Sequence, residues 1–437
     1  MGPRGRRILH TSAWSMVAKL AAAANLFLTV PFVLHTLGPA QFGAWATLVS
    51  LVMFAGFLDF GFGNGTMNLV AAAHGRGANA DISIIMREGY RTLLWIAFWL
   101  AAAVLLTTSF IPWYLLLGMP QTMASSSRAA AMAVLLSIAL AVPLNLANRV
   151  QLGLGRGDRA FQWQAIGQSL TTVVVIALAK AGGTFALLTA ASVATPLCSS
   201  IANTIALWRD PVMVTASPTI PRQHAIARKI RSEGLSFFVL QLAAALAYSA
   251  DLPLISALRG PTEAGTYAIV QRLFSIVSVG LSLVWAPLWP IYRHALASGD
   301  HKWVTRTFCR SVFFAVVVAA SAGLVLAASF HSITRIWLHR AIPVSGLLLS
   351  GFAVWCVIDA IGTALGTFLN AASILRYQLI FAPIFACASL TLKAAILSRA
   401  EIAVLPWITI CCYVLLVLFP IAMRAKVIRH TVMHTKY

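Results

Sequence analysis

Residues 31–68 read PFVLHTLGPAQFGAWATLVSLVMFAGFLDFGFGNGTMN, and the interpretation of the whole chain starts from this stretch. A helix is expected to end at Gly38-Pro39, because glycine turns the backbone and proline cannot continue a helix. A second apolar run follows and carries one acidic residue, Asp59, near its middle. The stretch therefore predicts two hydrophobic helices joined by a tight turn, the second of them bearing a charge.

The same design returns in the second half of the chain without a gap. The offset is constant at 253 − 31 = 222 positions, and it pairs four punctuating residues with four others: Pro31 with Pro253, Gly38 with Gly260, Pro39 with Pro261 and Gly43 with Gly265. We interpret the chain as two related halves, residues 1–220 and 221–437. Residues 209–233, which are polar and rich in proline, are expected to form a cytoplasmic connector between the two lobes.

The composition excludes a soluble protein. Of the 437 residues, 60% are hydrophobic and 10% are charged, whereas soluble domains carry about a quarter charged residues. Apolar runs of about 20 residues recur along the chain, which is the length that an α-helix needs to span a hydrocarbon core. The sequence predicts an all-α integral membrane protein. The net charge of +21 is interpreted as basic loops and not as a surface for nucleic acid.

The apolar runs predict twelve spans, six in each half. Because basic loop residues mark the cytoplasmic side, both termini are expected to be cytoplasmic, and the two lobes would be related by a pseudo-two-fold axis along the membrane normal. Lys19 and Arg272 are the two basic residues assigned to span interiors. The basic residues assigned to the outer side are Arg128, Lys180, Arg259, Arg335, Arg340, Lys393 and Arg399. The spans are placed at about 12–34, 43–72, 92–117, 129–150, 161–180, 184–208, 234–258, 265–292, 307–331, 345–370, 377–398 and 402–423.

Five charged residues within these spans stand out as candidates: Lys19, Asp59, Asp251, Arg272 and Asp359. A charge in the membrane costs about 2.5–3.5 kcal/mol on insertion scales, so such residues usually face a wet cavity or the interior of a helix bundle. The functional interpretation is a polar cavity in which cations attract a phosphate and acids bind or release an ion. The alternative is that each side chain pairs structurally or extends to the membrane surface.

Uncharged polar and aromatic residues continue this predicted surface. Asn25, Asn64 and Gln241 can hydrogen-bond sugar hydroxyls or can equally hold helices together, and Trp285 can stack on a sugar ring. Residues 59–65 resemble a glycine-rich dinucleotide loop, but no strand precedes them. We therefore expect these glycines to permit a bend or close packing in the second span.

Three stretches of the chain resemble Wzx-type polysaccharide and O-antigen flippases. The N-terminal part of proteins in that family resembles residues 30–71, VPFVLHTLGPAQFGAWATLVSLVMFAGFLDFGFGNGTMNLVA. Its seventh and eighth helices resemble residues 251–300, DLPLISALRGPTEAGTYAIVQRLFSIVSVGLSLVWAPLWPIYRHALASGD. The loop between its fourth and fifth helices resembles residues 151–164, QLGLGRGDRAFQWQ. The family belongs to the multidrug/oligosaccharidyl-lipid/polysaccharide exporter (MOP) superfamily, which also contains multidrug antiporters.

The resemblance implies two six-helix lobes and alternating access, without enzyme activity or a cofactor. It implies that an undecaprenyl-pyrophosphate-linked oligosaccharide is moved across the bacterial inner membrane, coupled to a proton or sodium gradient. Lys19 and Arg272 would hold the diphosphate, and Asp59, Asp251 and Asp359 are the candidates for ion coupling. Membrane lipids, a polysaccharide polymerase and a chain-length regulator are expected partners, and nucleic acid is not. The alternative is a multidrug antiporter, and a membrane glycan polymerase or glycosyltransferase ranks below it.

Overall fold

Helices account for the regular structure of this protein in a computed structural model that describes residues 3–52, 58–210, 242–243, 246, 249–297, 300–372, 374 and 376–424. Within these ranges there is no β-strand. The described residues include ten helices that are long and apolar enough to cross a membrane. The prediction of an all-α membrane protein is therefore confirmed. The count of twelve spans stays a prediction, because much of the expected seventh span, 234–258, lies outside the described residues.

The chain divides into two compact units. The first contains Met1–Ala245 with Gly260–Gly265, and the second contains Leu246–Arg259 with Thr266–Tyr437. The predicted boundary at residues 220/221 and most of the predicted connector fall in the stretch 211–241, outside the described residues, so this boundary stays a prediction.

The first unit begins with a helix that must break to fit a membrane. Helix α1, Pro3–Ser50, has 48 residues and would be about 72 Å long if straight, more than twice the thickness of a hydrocarbon core. It kinks at Gly38, where φ is 72° and ψ is 173°, as the sequence predicts. Its repeat partner Gly260 also has a positive φ, of 95°. Glycine therefore adopts a positive φ at equivalent positions in the two halves of the chain.

The second predicted span, 43–72, is not one continuous helix. Helix α1 ends at Ser50, and the backbone turns at residues 58–61, where Phe60 and Gly61 have φ values of 50° and 75°. Helix α2, Phe62–Gly75, then begins. The expectation of a bend near the glycines is correct. The expectation of a single helix is wrong, because two successive residues here adopt a left-handed conformation that an α-helix cannot contain.

The remaining helices of the first unit pack around α5 (Ala124–Leu144) and α7 (Gly157–Lys180). Val142, Leu146 and Val150 form an apolar core with Ile82 and Met86, all of them buried. These side chains recur four residues apart, at 82 and 86 and at 142, 146 and 150, which is the spacing of residues on one helical face. The helices are α3 (Asn79–Thr107), α4 (Trp113–Leu116), α5 (Ala124–Leu144), α6 (Leu146–Gly153), α7 (Gly157–Lys180) and α8 (Phe185–Trp208).

The second unit has its own core. Tyr292 and Leu296 pack with Val304, Leu369 and Tyr377. Together these five residues come from four different helices. A π-helical turn at Val414–Leu418 separates the last two helices of this unit. The helices are α9 (Asp251–Arg259), α10 (Pro261–Ala297), α11 (His301–Leu338), α12 (Gly346–Ala371), α13 (Arg376–Leu397), α14 (Leu405–Tyr413) and α15 (Phe419–Met423).

Candidate functional site

A cavity of about 450 Å³, lined by polar and apolar residues, lies within the second unit. Helix α10 contributes Gln271, Ser275 and Ser278, which are four and three residues apart and therefore share a face. Helix α12 contributes Asp359 and Thr363 by the same spacing. The rest of the lining is Asp251, Tyr267, Phe274, Phe352, Trp355, Cys356, Gly362, Pro406, Thr409 and Tyr413. Two of the three predicted ion-coupling acids, Asp251 and Asp359, thus face one cavity.

Asp251 is the first residue of α9 and is engaged through both of its carboxylate oxygens. Lys393 on α13 donates from Nζ to Oδ1 at 2.6 Å, and the hydroxyl of Tyr267 donates to Oδ2 at 2.8 Å. The side chain of Lys393 is 1% exposed and that of Asp251 is 8% exposed. A buried charge in a membrane protein is tolerated when it is paired. Asp251 is therefore held in a structural ion pair, which is one of the two interpretations that the sequence allows.

Lys393 is the residue that sequence reasoning missed. The sequence analysis assigns it to the outer side, with Lys19 and Arg272 as the basic residues inside spans. That assignment is wrong, because Lys393 lies within α13 and is buried against Asp251. Its position inside the apolar run 377–398 is the signal that could have identified it. Its closeness to the end of that run favoured the assignment to a surface instead.

Asp359 has a different environment from Asp251. The hydroxyl of Ser278 on α10 donates to its Oδ2 at 2.7 Å. Within the described part of the chain, no cationic side chain lies within 4 Å of this carboxylate. Asp359 is partly buried and lines the cavity. It is the carboxylate in this cavity that lacks a neutralising partner among the described residues.

The first unit contains a second polar pocket, of about 260 Å³, around Asp59. The Asp59 carboxylate accepts hydrogen bonds from the backbone N–H groups of Gly61 at 2.8 Å and Gly63 at 3.2 Å. These N–H groups belong to the start of α2, where no preceding carbonyl can pair with them. Asp59 thereby helps α2 to begin after the turn at 58–61. The rest of the lining is Val142, Asn145, Asn148, Arg149, Leu152 and Gln164.

A buried chain of amides holds one wall of this pocket. Gln151 donates to Asn203 on α8 at 2.6 Å, and Asn203 donates to Asn148 at 2.9 Å. A buried amide without a partner costs about 1–3 kcal/mol, so this chain fixes the position of α6 against α8. The pocket presents carboxylate, guanidinium and amide groups and is suited to bind a polar ligand.

The other predicted site residues lie outside these two sets of lining residues. Lys19 on α1 and Arg272 on α10 are both partly buried. Arg272 follows Gln271 and is rotated by about 100° from the face that lines the cavity. Asn64 is buried near the start of α2. Trp285 is 5% exposed, and its Nε1 has no hydrogen-bond partner in the structure of the described residues.

Asn25 is used within the helix bundle. Its amide donates to Gln168 on α7 at 2.9 Å, and Thr172 donates to its Oδ1 at 3.2 Å. Asn25 therefore holds α1 against α7, which is the structural alternative stated for it. Gln241, the remaining predicted site residue, lies outside the described residues.

Comparison with known proteins adds sequence relatives. Residues 8–291, well over half of the chain, match the model of a family described as polysaccharide biosynthesis protein. The chain is also 25% identical over 313 residues to the succinoglycan biosynthesis transport protein ExoT of Rhizobium meliloti. That alignment covers 68% of this chain and 56% of the relative, so the chain spans little more than half of that protein's length.

Solved structures share the fold at low sequence identity. An inward-facing multidrug resistance MATE family transporter of the MOP superfamily aligns with a TM-score of 0.76 and 14% identity, over 94% of this chain and 98% of that one. A MOP superfamily transporter from Pyrococcus furiosus, whose binding pocket is described as having reversed polarity, aligns with a TM-score of 0.70 and 15% identity, over 99% and 98%. At this identity the likeness concerns the fold, and it confirms the predicted fold class.

Proposed function

Because the chain belongs to the family of polysaccharide biosynthesis proteins, we propose that it is a flippase for an undecaprenyl-pyrophosphate-linked oligosaccharide. The protein is a multi-pass membrane transporter of the MOP superfamily, and its resemblance to Wzx-type flippases is confirmed. The single observation that carries the substrate proposal is the family match over residues 8–291. The shared MATE fold supports transport but does not separate a glycan from a drug.

The proposed cargo explains why a protein is needed at all. A head group of sugars and a diphosphate carries many hydroxyls and negative charges, and each of these loses its hydration in hydrocarbon at high cost. The lipid tail, in contrast, stays in the hydrocarbon of the bilayer throughout. The transporter therefore has to enclose the head group in a polar path and open that path to the two membrane faces in turn.

We assign the diphosphate to Lys19 and Arg272. Both lie on long membrane-spanning helices, and both are only partly buried. A guanidinium binds phosphate oxygens through two parallel hydrogen bonds, and an ammonium binds them as a point charge. Asn64, Gln241 and Trp285 are the proposed contacts for sugars. Asn25 is a weaker candidate, because both ends of its amide are engaged with α7.

An ion gradient is proposed to drive the cycle, with Asp59, Asp251 and Asp359 as the candidate acids. Of these, Asp59 supports the start of α2 and Asp251 is ion-paired. Asp359 faces its cavity with no such pair to any residue that the structure describes. The membrane would be the bacterial inner membrane, with both termini cytoplasmic. A polysaccharide polymerase and a chain-length regulator would act on the glycan after it is moved.

Complementation tests this proposal. The chain is expressed in a bacterial strain that lacks its own flippase, and surface glycan is measured by immunoblot. We expect export to be restored by the natural chain and lost in Lys19→Ala and Arg272→Ala, with the variant proteins still present in the membrane. Lys302→Ala and Arg335→Ala remove exposed cations on α11 and serve as matched controls that keep export.

Two results would count against the proposal. Unchanged surface glycan in both Lys19→Ala and Arg272→Ala would remove these residues as the diphosphate site. Failure of the natural chain to restore glycan, together with increased resistance of the cells to cationic drugs, would favour the multidrug antiporter instead.

A further inference from the structure

We propose that the ion taken up in the cavity of the second unit is a proton carried by Asp359, because the ammonium group of Lys393 takes the place of a metal cation beside Asp251. This inference rests on the proposed ion-coupled transport and names its coupling ion. It also gives Lys393 a role, as a counterion that is part of the chain.

The carboxylate of Asp251 is already neutralised and hydrogen-bonded by neighbouring side chains. Its Oδ1 receives a hydrogen bond from Lys393 at 2.6 Å, and its Oδ2 receives one from Tyr267 at 2.8 Å. All three residues are buried, with relative exposures of 6% for Asp251, 1% for Lys393 and 2% for Tyr267. Each oxygen thus accepts from one fixed donor, and the carboxylate charge is already balanced. A soluble cation at Asp251 would have to compete with the ammonium for that charge.

Several groups face Asp359 across the cavity. Ser278 donates to its Oδ2, which leaves Oδ1 as the oxygen available to a proton. Among the described residues, the other titratable groups that line this cavity are two phenols, a thiol and one carboxyl, and that carboxyl is paired with Lys393. These groups are Tyr267, Tyr413, Cys356 and Asp251, and they belong to α10, α14, α12 and α9.

A proton and an alkali-metal ion need different numbers of oxygen ligands. A metal ion inside a membrane protein replaces its hydration shell with several oxygen ligands, often including backbone carbonyls. A proton needs one carboxylate oxygen. With Asp251 balanced by Lys393, Asp359 gives the described lining of the cavity a single net negative charge, and one proton neutralises it. Neutralisation matters because an unpaired charge disfavours any state in which the cavity is closed to water.

The inference is tested by proton release from the purified full-length protein. Sodium chloride, or choline chloride at equal ionic strength, is added to weakly buffered protein containing a pH indicator. If sodium bound to the cavity carboxylates it would displace protons from them. We expect no difference between the two salts for the natural protein. For Lys393→Met, whose cavity then has two carboxylates and no ammonium, we expect sodium-specific release that disappears in Asp251→Asn/Lys393→Met.

The same samples give a second readout. Sodium should raise the Tm of Lys393→Met by about 1–3 °C, because a ligand that binds only the folded state stabilises it, and should leave the natural protein unchanged. Lys180→Met, which removes an exposed lysine at the end of α7, is the matched control and should behave like the natural protein. If Lys393→Met does not fold, Lys393→Arg keeps a cation there and should stay insensitive to sodium.

Sodium-specific proton release from the natural protein, abolished by Asp359→Asn, would overturn the inference and would need no folded Lys393 variant. A Lys393→Met protein that folds and responds identically to both salts would also overturn it. These readouts do not involve glycan, so they separate this inference from the proposed function. In cells that export glycan, the export should stop with a protonophore and continue when sodium is replaced.

Discussion

Breaking the ion pair between Asp251 and Lys393 should destabilise the second unit far more than breaking a surface pair. In Asp251→Asn the carboxylate is lost while the ammonium of Lys393 stays in a site that is 1% exposed. The amide that replaces the carboxylate can still accept a hydrogen bond from Tyr267 or Lys393 but supplies no charge. The variant therefore has a buried cation without a counterion.

The expected loss of folding stability follows from the burial of this pair. Removing one member of a buried pair typically costs about 3–5 kcal/mol, because the remaining charge keeps its desolvation penalty and loses its compensation. With an unfolding entropy of about 2 cal/mol/K per residue, a chain of this length loses about 1 °C in Tm per kcal/mol. We therefore expect Asp251→Asn to lower Tm by about 3–5 °C. We expect Asp251→Asn/Lys393→Met to recover most of that loss, because neither position of the pair then carries a charge.

Thermal unfolding in detergent, followed by tryptophan fluorescence at a constant salt concentration, measures this difference. Arg91→Ala is the matched control. It breaks an ion pair with Glu88 at 3.4 Å in which the arginine side chain is 62% exposed, and pairs of that kind contribute about 0–1 kcal/mol. The reasoning is refuted if Asp251→Asn lowers Tm no more than Arg91→Ala does, or if the double variant is less stable than Asp251→Asn.

Two further predictions concern the backbone turns. Asp59→Ala should lower the stability by about 0.5–2 kcal/mol, seen as a lower Tm, because N–H groups at the start of α2 lose their acceptor. Glu401→Ala is the control and should leave Tm unchanged, because this exposed side chain makes no cap hydrogen bond. Gly38→Ala should cost about 1 kcal/mol or more, because φ there is 72° although the surrounding space is open. Gly366→Ala meets equally open space at helical φ and should raise stability by about 0.4–1 kcal/mol. Equal Tm values for the two glycine variants would contradict the assignment of strain to φ.

Local features of the fold could be predicted because they depend on neighbours in the chain. Apolar runs near the length of a span identify membrane helices whatever they pack against, since backbone polar groups in lipid must be satisfied within the segment. Gly38 and Gly260 marked helix ends in both halves, and both have positive φ values. The break at residues 58–61 was predicted only as a bend, because its form depends on Asp59 reaching the N–H groups of α2.

The candidate site could be predicted less completely, because it combines residues from distant parts of the chain. Sequence reasoning selected Asp251 and Asp359 on the cost of charges in a membrane, and both line one cavity. It did not select Lys393, which is 142 residues from Asp251 in sequence. It also could not foresee that Ser278, 81 residues from Asp359, donates to that acid.

The sequence alone determined that this protein is helical, lies in a membrane, consists of two related halves and carries several costly charges within its spans. Hydropathy and backbone conformation decide these properties, and both act over a few residues. The tertiary structure alone decided that Lys393 neutralises Asp251, while Asp359 faces the cavity with no cationic partner in the described part of the chain. Electrostatic partnership depends on which helix faces pack together in three dimensions, and spacing along the chain does not encode that packing.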